Sequence, residues 1–397
     1  MKMKIKVSRL EQKIFMFAWM LMIIHTVISG SYLSEYTTRY TTVFSIILFG
    51  LVFFINRIKL EERLLLLLII IIGVIIYLNT TDNRFIWMGI ALAASKNIDI
   101  KKIEDITYKT LLFLFISIGG SYLLLRCFNI IEVFSLNLRG GSGIGIGHPN
   151  MTHQYLAVIL SIYICKHYRT ITFAKLFITE LLNGLLMVVT QSRSGFLSFT
   201  IVFIVACATL RFRNKKNYMR ITACGMYGLV LFSSFAPIIF LKHKTWFLTL
   251  IDNMFSGRLQ QARYYYSEYG IKLFGSYMKE LYADVIHWYL DLGFARVLIL
   301  DGVVVYVLFV LGYYLIVEKS IAEKDMQKFI MVITMMLLTI SESMGTYIFF
   351  NFTLLYFGDL LFKERRQPFK NKQKFEKRKN QITGEKHELF NNFHAHI

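Results

Sequence analysis

Charged residues are scarce in this chain of 397 residues: Asp, Glu, Lys and Arg make up 18% of it, against roughly 25% in a soluble domain. Proline, with 3 residues, and cysteine, with 4, are also rare. Hydrophobic residues make up 55%, and they come in long runs. This composition excludes a disordered protein, a disulfide scaffold and an ordinary soluble enzyme, and it favours one polytopic membrane unit.

Twelve apolar stretches predict an all-α polytopic membrane protein. A helix needs about 20 mostly apolar residues to cross a bilayer, where its backbone must satisfy its own hydrogen bonds. The run from Leu64 to Leu78 is the clearest span, whereas the fourth and twelfth are short. The predicted spans are 14–33, 41–56, 63–78, 84–95, 110–129, 151–165, 172–190, 195–210, 220–241, 294–317, 327–345 and 347–362. We expect one membrane domain over residues 1–362.

The positions of Lys and Arg predict the orientation of these spans. With the N-terminus in the cytoplasm, the inner segments hold most of the 45 basic residues. The net charge of +20 is then mainly a topology signal, and nucleic-acid binding is the less favoured explanation. Residues 363–397 are predicted to be a solvated, largely disordered cytoplasmic tail, with weak attraction to anionic lipids as the functional alternative.

No metal site, disulfide or cofactor is predicted. The cysteines lack Cys-x-x-Cys spacing. The glycine-rich stretch 140–150 follows no strand, so we expect a flexible approach to span six, capped by Asn150 or Thr152. His148 and His153 have no apparent third metal ligand.

The longest loop, residues 242–293, is predicted to be extracytoplasmic and is rich in aromatic residues. Two interpretations stay open: Tyr and Trp anchor the loop at the membrane interface, or they stack on sugar rings. Tyr265 and Trp288 are the candidates for sugar contact.

A short outer turn, Gln191 to Gly195, separates spans seven and eight. Ser192 or Ser194 can cap the following helix, whose N-terminus then faces outward. Such a terminus binds anions, and Arg193 adds a full positive charge. The structural alternative is an arginine that only reaches the lipid headgroups.

The long loop contains a second arginine motif. We predict a helix from Arg258 to Tyr269, preceded by Ser256 and Gly257. Arg258 then lies in the first turn, where the helix dipole disfavours a cation, which hints at an anionic partner. Arg263 follows on the same helix. The alternative is a solvated loop charge.

Proton transfer has several candidates. His287, with Asp284 and Asp291 on either side, can exchange a proton near neutral pH, although a structural loop histidine is the simpler explanation. We expect Glu342, near the outer end of span eleven, to face the same cavity. Glu180 lies in the middle of span seven. It either takes part in the function of the protein or forms hydrogen bonds between helices.

The order of these motifs resembles that of the O-antigen polymerase and ligase superfamily, including Wzy-type capsule polymerases. The resemblance rests on Gly147 to Asn150 before a span, the turn Gln191 to Gly195, the motif Ser256 to Arg258, and His287, and it covers roughly residues 110–360. It implies a GT-C-like, metal-independent, inverting glycosyltransferase that acts on undecaprenyl-diphosphate-linked glycans. By the same resemblance Arg193 and Arg258 hold the diphosphate, and His287 assists.

A diphosphate is a good leaving group, so the protein needs only to neutralise developing charge, align two substrates and supply a base. His287, Asp284 or Asp291 is the candidate base. The predicted catalytic residues are His287, Arg193 and Arg258, and the predicted substrate contacts are Ser192, Ser194, Arg263, Asn150, Tyr265, Trp288, Asp284 and Glu342.

We therefore expect a polymerase that joins undecaprenyl-diphosphate-linked repeat units into capsule, exopolysaccharide or O-antigen outside the bacterial cytoplasmic membrane, with both chain termini in the cytoplasm. The expected partners are membrane lipids, a flippase and chain-length regulators, not nucleic acid. A ligase is the nearest alternative. A flippase or other transporter would instead show inverted repeats, broken spans and charges at mid-membrane. A membrane scaffold would need none of the outer arginines.

Overall fold

The computed structural model describes residues 2–36, 39–56, 58–131, 140–212, 216–242, 245–278 and 290–362. Its described residues form helices and no β-strand, as the sequence predicts. The α-helices are α1 Lys2–Ser29, α2 Arg39–Ile55, α3 Leu60–Thr80, α4 Arg84–Ala94, α5 Ile100–Cys127, α6 Pro149–Lys166, α7 Phe173–Thr190, α8 Arg193–Arg211, α9 Lys216–Lys242, α10 Trp246–Met254, α11 Arg258–Tyr269, α12 Gly293–Arg296, α13 Val303–Glu323, α14 Met326–Ser341 and α15 Gly358–Leu361.

Among the residues that the structure describes, seven helices are long and apolar enough to cross a membrane. They are Leu10–Ser29, Leu60–Thr80, Ile100–Cys127, Phe173–Thr190, Arg193–Arg211, Asn217–Phe240 and Val303–Glu323. Helix α3 exposes a broad apolar surface, whereas α14 is buried along its whole length and forms the centre of the bundle. These helices confirm the predicted all-α fold with membrane-length apolar helices. The number of spans and the GT-C-like architecture stay predictions.

Polar contacts collect at the two ends of the bundle. At one end, which we call the site end, Arg258 pairs with Glu342. At the other, the far end, Lys328 Nζ lies 2.8 Å from Asp359 Oδ2. Other ion pairs follow the same division, with Asp82, Arg84 and Arg296 at the site end and Glu62, Lys96, Asp105 and Lys166 at the far end. The helices alternate between these ends in the predicted order, and their orientation in a membrane stays a prediction.

The predicted span at 294–317 is not one continuous helix. Helix α12 runs into a π-helical turn, Val297–Asp301, and the helix breaks at Gly302, whose φ of 95° is left-handed. Helix α13 then carries the crossing alone. The long loop covers the break, because the Ser276 N–H donates to the Leu300 carbonyl at 3.0 Å. The predicted bounds were wrong because the apolar residues continue through the break, so the sequence shows no interruption. The hydrogen-bond partners of the broken backbone come from another segment of the chain.

The predicted span at 347–362 is not a membrane-length α-helix. After α14 the chain forms two 3-10 turns and the short α15, yet it leads from Glu342 at the site end to Asp359 at the far end. Asn351 supports this irregular segment by donating to the Gly345 carbonyl at 2.7 Å. Irregular backbone at this depth is tolerated where protein encloses it. An apolar run does not reveal that enclosure, so the sequence predicted a helix.

The described part of the glycine-rich loop, residues 140–148, packs against its neighbours. The Ser142 N–H donates to the Val189 carbonyl at 3.0 Å, and the Gly145 carbonyl accepts from the Tyr32 N–H at 3.0 Å. The prediction of a flexible approach is therefore wrong. The loop instead joins the ends of α1, α6 and α7.

Helix α6 begins at Pro149, and His148 is its N-cap. The Nδ1 atom of His148 accepts from the Asn150 N–H at 3.3 Å. The prediction that Asn150 or Thr152 caps this helix is therefore wrong. The Thr152 hydroxyl donates to the Gly143 carbonyl at 2.8 Å and so ties the helix to the loop.

Two helices order the described part of the long loop. Helix α11 has the bounds predicted from the sequence. Asp252 of α10 caps it, since Oδ1 accepts from the Leu259 N–H at 2.8 Å and the Gln260 N–H at 3.2 Å. A carboxylate stabilises a helix N-terminus. This cap fixes the start of α11, where Arg258 lies. The predicted tail, residues 363–397, falls outside the described residues.

Candidate functional site

Arg258 is the buried centre of the site end, with 2% of its surface exposed. Its guanidinium donates to the Glu342 carboxylate and the Ser341 carbonyl, and Nη2 lies 3.3 Å from Asp291 Oδ2. Burial acts to lower the pKa of Arg258, but Glu342 and Asp291 outweigh it and raise the pKa. The anionic partners of this first-turn cation are thus carboxylates of the same chain.

Glu342 links Arg258 to the start of α8. It follows the last residue of α14 and is buried. The Ser194 side chain lies beside the same carboxylate and acts to lower its pKa. Burial raises the pKa of Glu342, and the Arg258 charge opposes that rise.

Helix α6 forms a further wall of the site. The His148 ring lies within electrostatic reach of Asp291 and Arg258. Desolvation lowers its pKa, while Asp291 raises it and Arg258 lowers it. One turn into α6, Gln154 Nε2 donates to Ser341 Oγ at 3.4 Å. The site is therefore built from the ends of α6, α8, α11 and α14.

Arg193 is exposed at the first position of α8. Ser192 is the N-cap, and its Oγ accepts from the Gly195 N–H at 3.4 Å, which confirms one of the two predicted caps. Within the described parts of the chain, Arg193 has no hydrogen bond or ion pair. Its guanidinium is therefore available to a ligand, and its neighbour Ser194 contacts Glu342.

Arg84 and Arg296 form a second cluster with Asp82, and Arg84 holds the turn after α14. Arg84 Nη1 donates to the Ser343 carbonyl at 3.3 Å and to the Thr346 hydroxyl at 2.8 Å. Asp82 Oδ2 lies 3.3 Å from both Arg84 Nε and Arg296 Nη2. Positive side chains compensate the free carbonyls at a helix C-terminus. Arg84 and Arg258 thus fix the same turn from two directions.

The predicted site residues do not all lie together. The structure brings together Arg258, Glu342, Ser194 and Asp291, whereas Asp284, His287 and Trp288 lie outside the described residues. Tyr265 is fully buried and stacks on Tyr269, with 6.3 Å between the ring centroids. A ring without an exposed face cannot stack on a sugar, so the prediction for Tyr265 is wrong.

Arg263 and Asn150 are partly exposed. The Arg263 guanidinium lies 5.6 Å from the centroid of the Phe240 ring, a cation–π contact that joins α11 to α9. The roles of both residues as substrate contacts stay predictions.

Sequence reasoning missed Arg84, Gln154 and Ser341. Ser341 uses its backbone carbonyl, which no sequence pattern marks. Arg84 is the first residue of the predicted span 84–95, where a basic residue indicates topology rather than a site. Gln154 lies in an apolar helix, where a buried amide is a signal for a polar partner.

In the part of the chain that the structure describes, no group of three or more His, Cys, Asp or Glu residues is placed to hold a metal ion. No protein-family model, curated protein or solved structure matches the chain. The functional argument therefore rests on the geometry of the site and on the motifs of the sequence.

Proposed function

We propose that the protein is a glycosyltransferase that joins undecaprenyl-diphosphate-linked repeat units at the outer face of the bacterial cytoplasmic membrane. One observation carries the proposal: an exposed Arg193 adjoins the buried cluster of Ser194, Glu342 and Arg258. A lipid diphosphate supplies an anion for Arg193 and a tail for the apolar surface around it. The resemblance to the O-antigen polymerase and ligase superfamily supports the same activity.

Arg193 is the proposed diphosphate ligand. In the transfer, the bond between the anomeric carbon and the diphosphate oxygen breaks, and negative charge develops on the leaving diphosphate. A guanidinium at a helix N-terminus stabilises that charge. Arg193 places a guanidinium at such a terminus, because it is the first residue of α8, and its exposure leaves it open to a ligand.

A carboxylate is the proposed base. The acceptor hydroxyl must lose a proton as its oxygen attacks the anomeric carbon. Asp291 keeps 24% of its side chain exposed, whereas Glu342 keeps 6%. Asp291 is the more accessible of the two, so it is the proposed base, and its exposed part can return the proton to water. His287 and Asp284 stay alternatives for this role.

Arg258 is proposed to position these carboxylates rather than to bind the diphosphate. Its guanidinium already contacts Glu342, Asp291 and the Ser341 carbonyl. Breaking a buried ion pair costs about 3–5 kcal/mol, which disfavours an exchange of carboxylate for phosphate during each transfer. This assignment revises the role that the family resemblance implies for Arg258.

The test is Arg193→Ala in cells or vesicles that contain the lipid-linked repeat unit. We expect chain lengthening to stop and single units to accumulate on the outer leaflet. Arg126→Ala is the matched control, because Arg126 is also exposed and predicted to be outside. Polymer of native length in Arg193→Ala would show that Arg193 does not bind the donor.

The irregular crossing after α14 favours a second candidate, a flippase for the same lipid-linked glycan, because broken spans mark substrate sites in transporters. The leaflet assay separates the two. A flippase variant leaves single units on the inner leaflet, whereas a transferase variant leaves them outside. A ligase is distinguished by its product, since the glycan then leaves the lipid carrier for another acceptor.

A further inference from the structure

A buried histidine lies beneath the turn that carries Arg193. His153 on α6 has no exposed surface. Its Nε2 lies 2.8 Å from Asn183 Oδ1, and its Nδ1 lies 3.1 Å from Thr190 Oγ1. Both partners belong to α7, and Thr190 is the last residue of that helix. The imidazole therefore connects the middle of α7 to its end.

The surroundings of Asn183 determine the direction of its hydrogen bond with His153, while the Thr190 hydroxyl lies between Nδ1 of His153 and the Leu186 carbonyl, to which it donates at 2.8 Å. The Nδ2 atom of Asn183 donates to the Phe196 carbonyl at 3.3 Å and to Glu180 Oε1 at 3.3 Å. The amide oxygen is then left to accept from Nε2–H of His153. The Thr200 hydroxyl donates to the same Glu180 oxygen at 2.6 Å. This network ties α6 and α7 to α8 inside the bundle.

The imidazole also packs against the first turn of α8. A Cβ atom at Gly195 would lie 2.8 Å from Cγ of His153, so only glycine fits over the ring. On the other side of the turn, Thr190 Oγ1 accepts from the Ser192 N–H at 3.4 Å. His153 therefore packs against one side of the turn that exposes Arg193, at Gly195. It reaches the other side through Thr190, which accepts from the Ser192 N–H.

We propose that His153 is a positioning residue that sets the direction of Arg193 through this turn without contacting substrate. An arginine on a short turn has a defined direction only if the turn itself is held. A displacement of about 1 Å at a reacting centre costs on the order of 100-fold in rate. The proposal rests on the proposed function for the role of Arg193, whereas the placement of Arg193 is measurable without that function.

Two substitutions separate the contacts of His153. His153→Gln keeps a donor near the Nε2 position, toward Asn183, and loses the contact with Thr190. His153→Asn keeps a polar atom near the Nδ1 position, toward Thr190, and loses the contact with Asn183. Because Thr190 adjoins the turn, the Gln variant is expected to disturb Arg193 more than the Asn variant. Thr190→Val tests the same link with His153 intact and a nearly unchanged volume.

A nitroxide at position 193 measures the placement without any enzyme assay. In a background without the four native cysteines, Arg193→Cys is labelled and its spectrum recorded in proteoliposomes. We expect greater label mobility with His153→Gln or Thr190→Val, and no change for a label at position 126. An unchanged spectrum at position 193 in both variants overturns the proposal, and so does an equal change at position 126.

The rate of chain lengthening provides the second arm. Arg193→Lys is used because it keeps a charge and residual activity. His153→Gln is expected to lower turnover about 10- to 100-fold and to have no further effect when combined with Arg193→Lys. Reductions that multiply would show that His153 acts independently of Arg193. If the native protein forms no polymer, the proposed function fails, and the label mobility still decides the positioning role.

Discussion

The Arg258 guanidinium donates to the Glu342 carboxylate, although 84 positions separate the two residues in the sequence. The Ser194 side chain lies beside the same carboxylate. One buried carboxylate therefore brings together α8, α11 and the end of α14. Removing a partner from such a group leaves an uncompensated charge in the interior.

Arg258→Met is expected to destabilise the protein by about 3–5 kcal/mol, because Glu342 loses its cation while it stays buried. Thermal unfolding of the purified protein in detergent measures the loss. Arg193→Ala is the control and is expected to stay within about 0.5 kcal/mol of the native protein, because its side chain is exposed.

Neutralising Glu342 as well should recover part of the stability that Arg258→Met loses. Combining Arg258→Met with Glu342→Gln removes both members of the ion pair, which is much less costly than removing one. Equal unfolding temperatures for the native protein and Arg258→Met would contradict the pairing.

Asp82→Asn is expected to lower stability in a pH-dependent way. Burial acts to raise the pKa of Asp82, but Arg84 and Arg296 outweigh it and hold the pKa below its ordinary value of 3.8. The stabilising contribution is therefore complete above about pH 4 and is lost as the pH falls through the lower, folded-state pKa. We expect a difference in unfolding temperature, equivalent to about 3 kcal/mol, that is constant from pH 7 to 5 and shrinks below pH 4. A constant difference down to pH 3 would contradict this assignment.

The sequence predicted helices where the apolar period and the end signals agree. The start of α11 is an example, because Asp252, Ser256 and Gly257 mark it before Arg258. It failed at 294–317 and 347–362, where the decisive contacts come from other segments. Apolar composition is the same in a lipid-facing helix and in an enclosed irregular segment, so only the packing distinguishes them.

The candidate site was predictable in part. An arginine in the first turn of a helix needs an anion, and the sequence indicated this for Arg258. It did not indicate that Glu342 and Asp291 are that anion, because pairing depends on how α11 and α14 meet. The network around His153 was likewise hidden, since a buried histidine and a metal-binding histidine have the same sequence signal.

Gly195→Ala is expected to destabilise the protein by about 1–3 kcal/mol, because the new methyl group overlaps the buried His153 ring. Gly184→Ala is the matched control. Position 184 has open space around its Cβ, and alanine favours a helix interior by about 0.8–1.0 kcal/mol over glycine. Thermal unfolding in detergent compares the two variants. A Gly195→Ala variant at least as stable as Gly184→Ala would show that α8 does not lie over the imidazole as described.

Helix α10 is expected to lie at the membrane interface. Its large apolar side chains are exposed on one surface, including Trp246 at 78% and Leu250 at 50%, while Asp252 on the other surface caps α11. An amphipathic helix of this kind buries its apolar face at the boundary of headgroups and acyl chains. A nitroxide at position 250 in proteoliposomes should collide more with oxygen than with a water-soluble nickel chelate, and a label at the exposed polar position Glu268 should show the reverse. Equal nickel accessibility at both positions would place α10 in water.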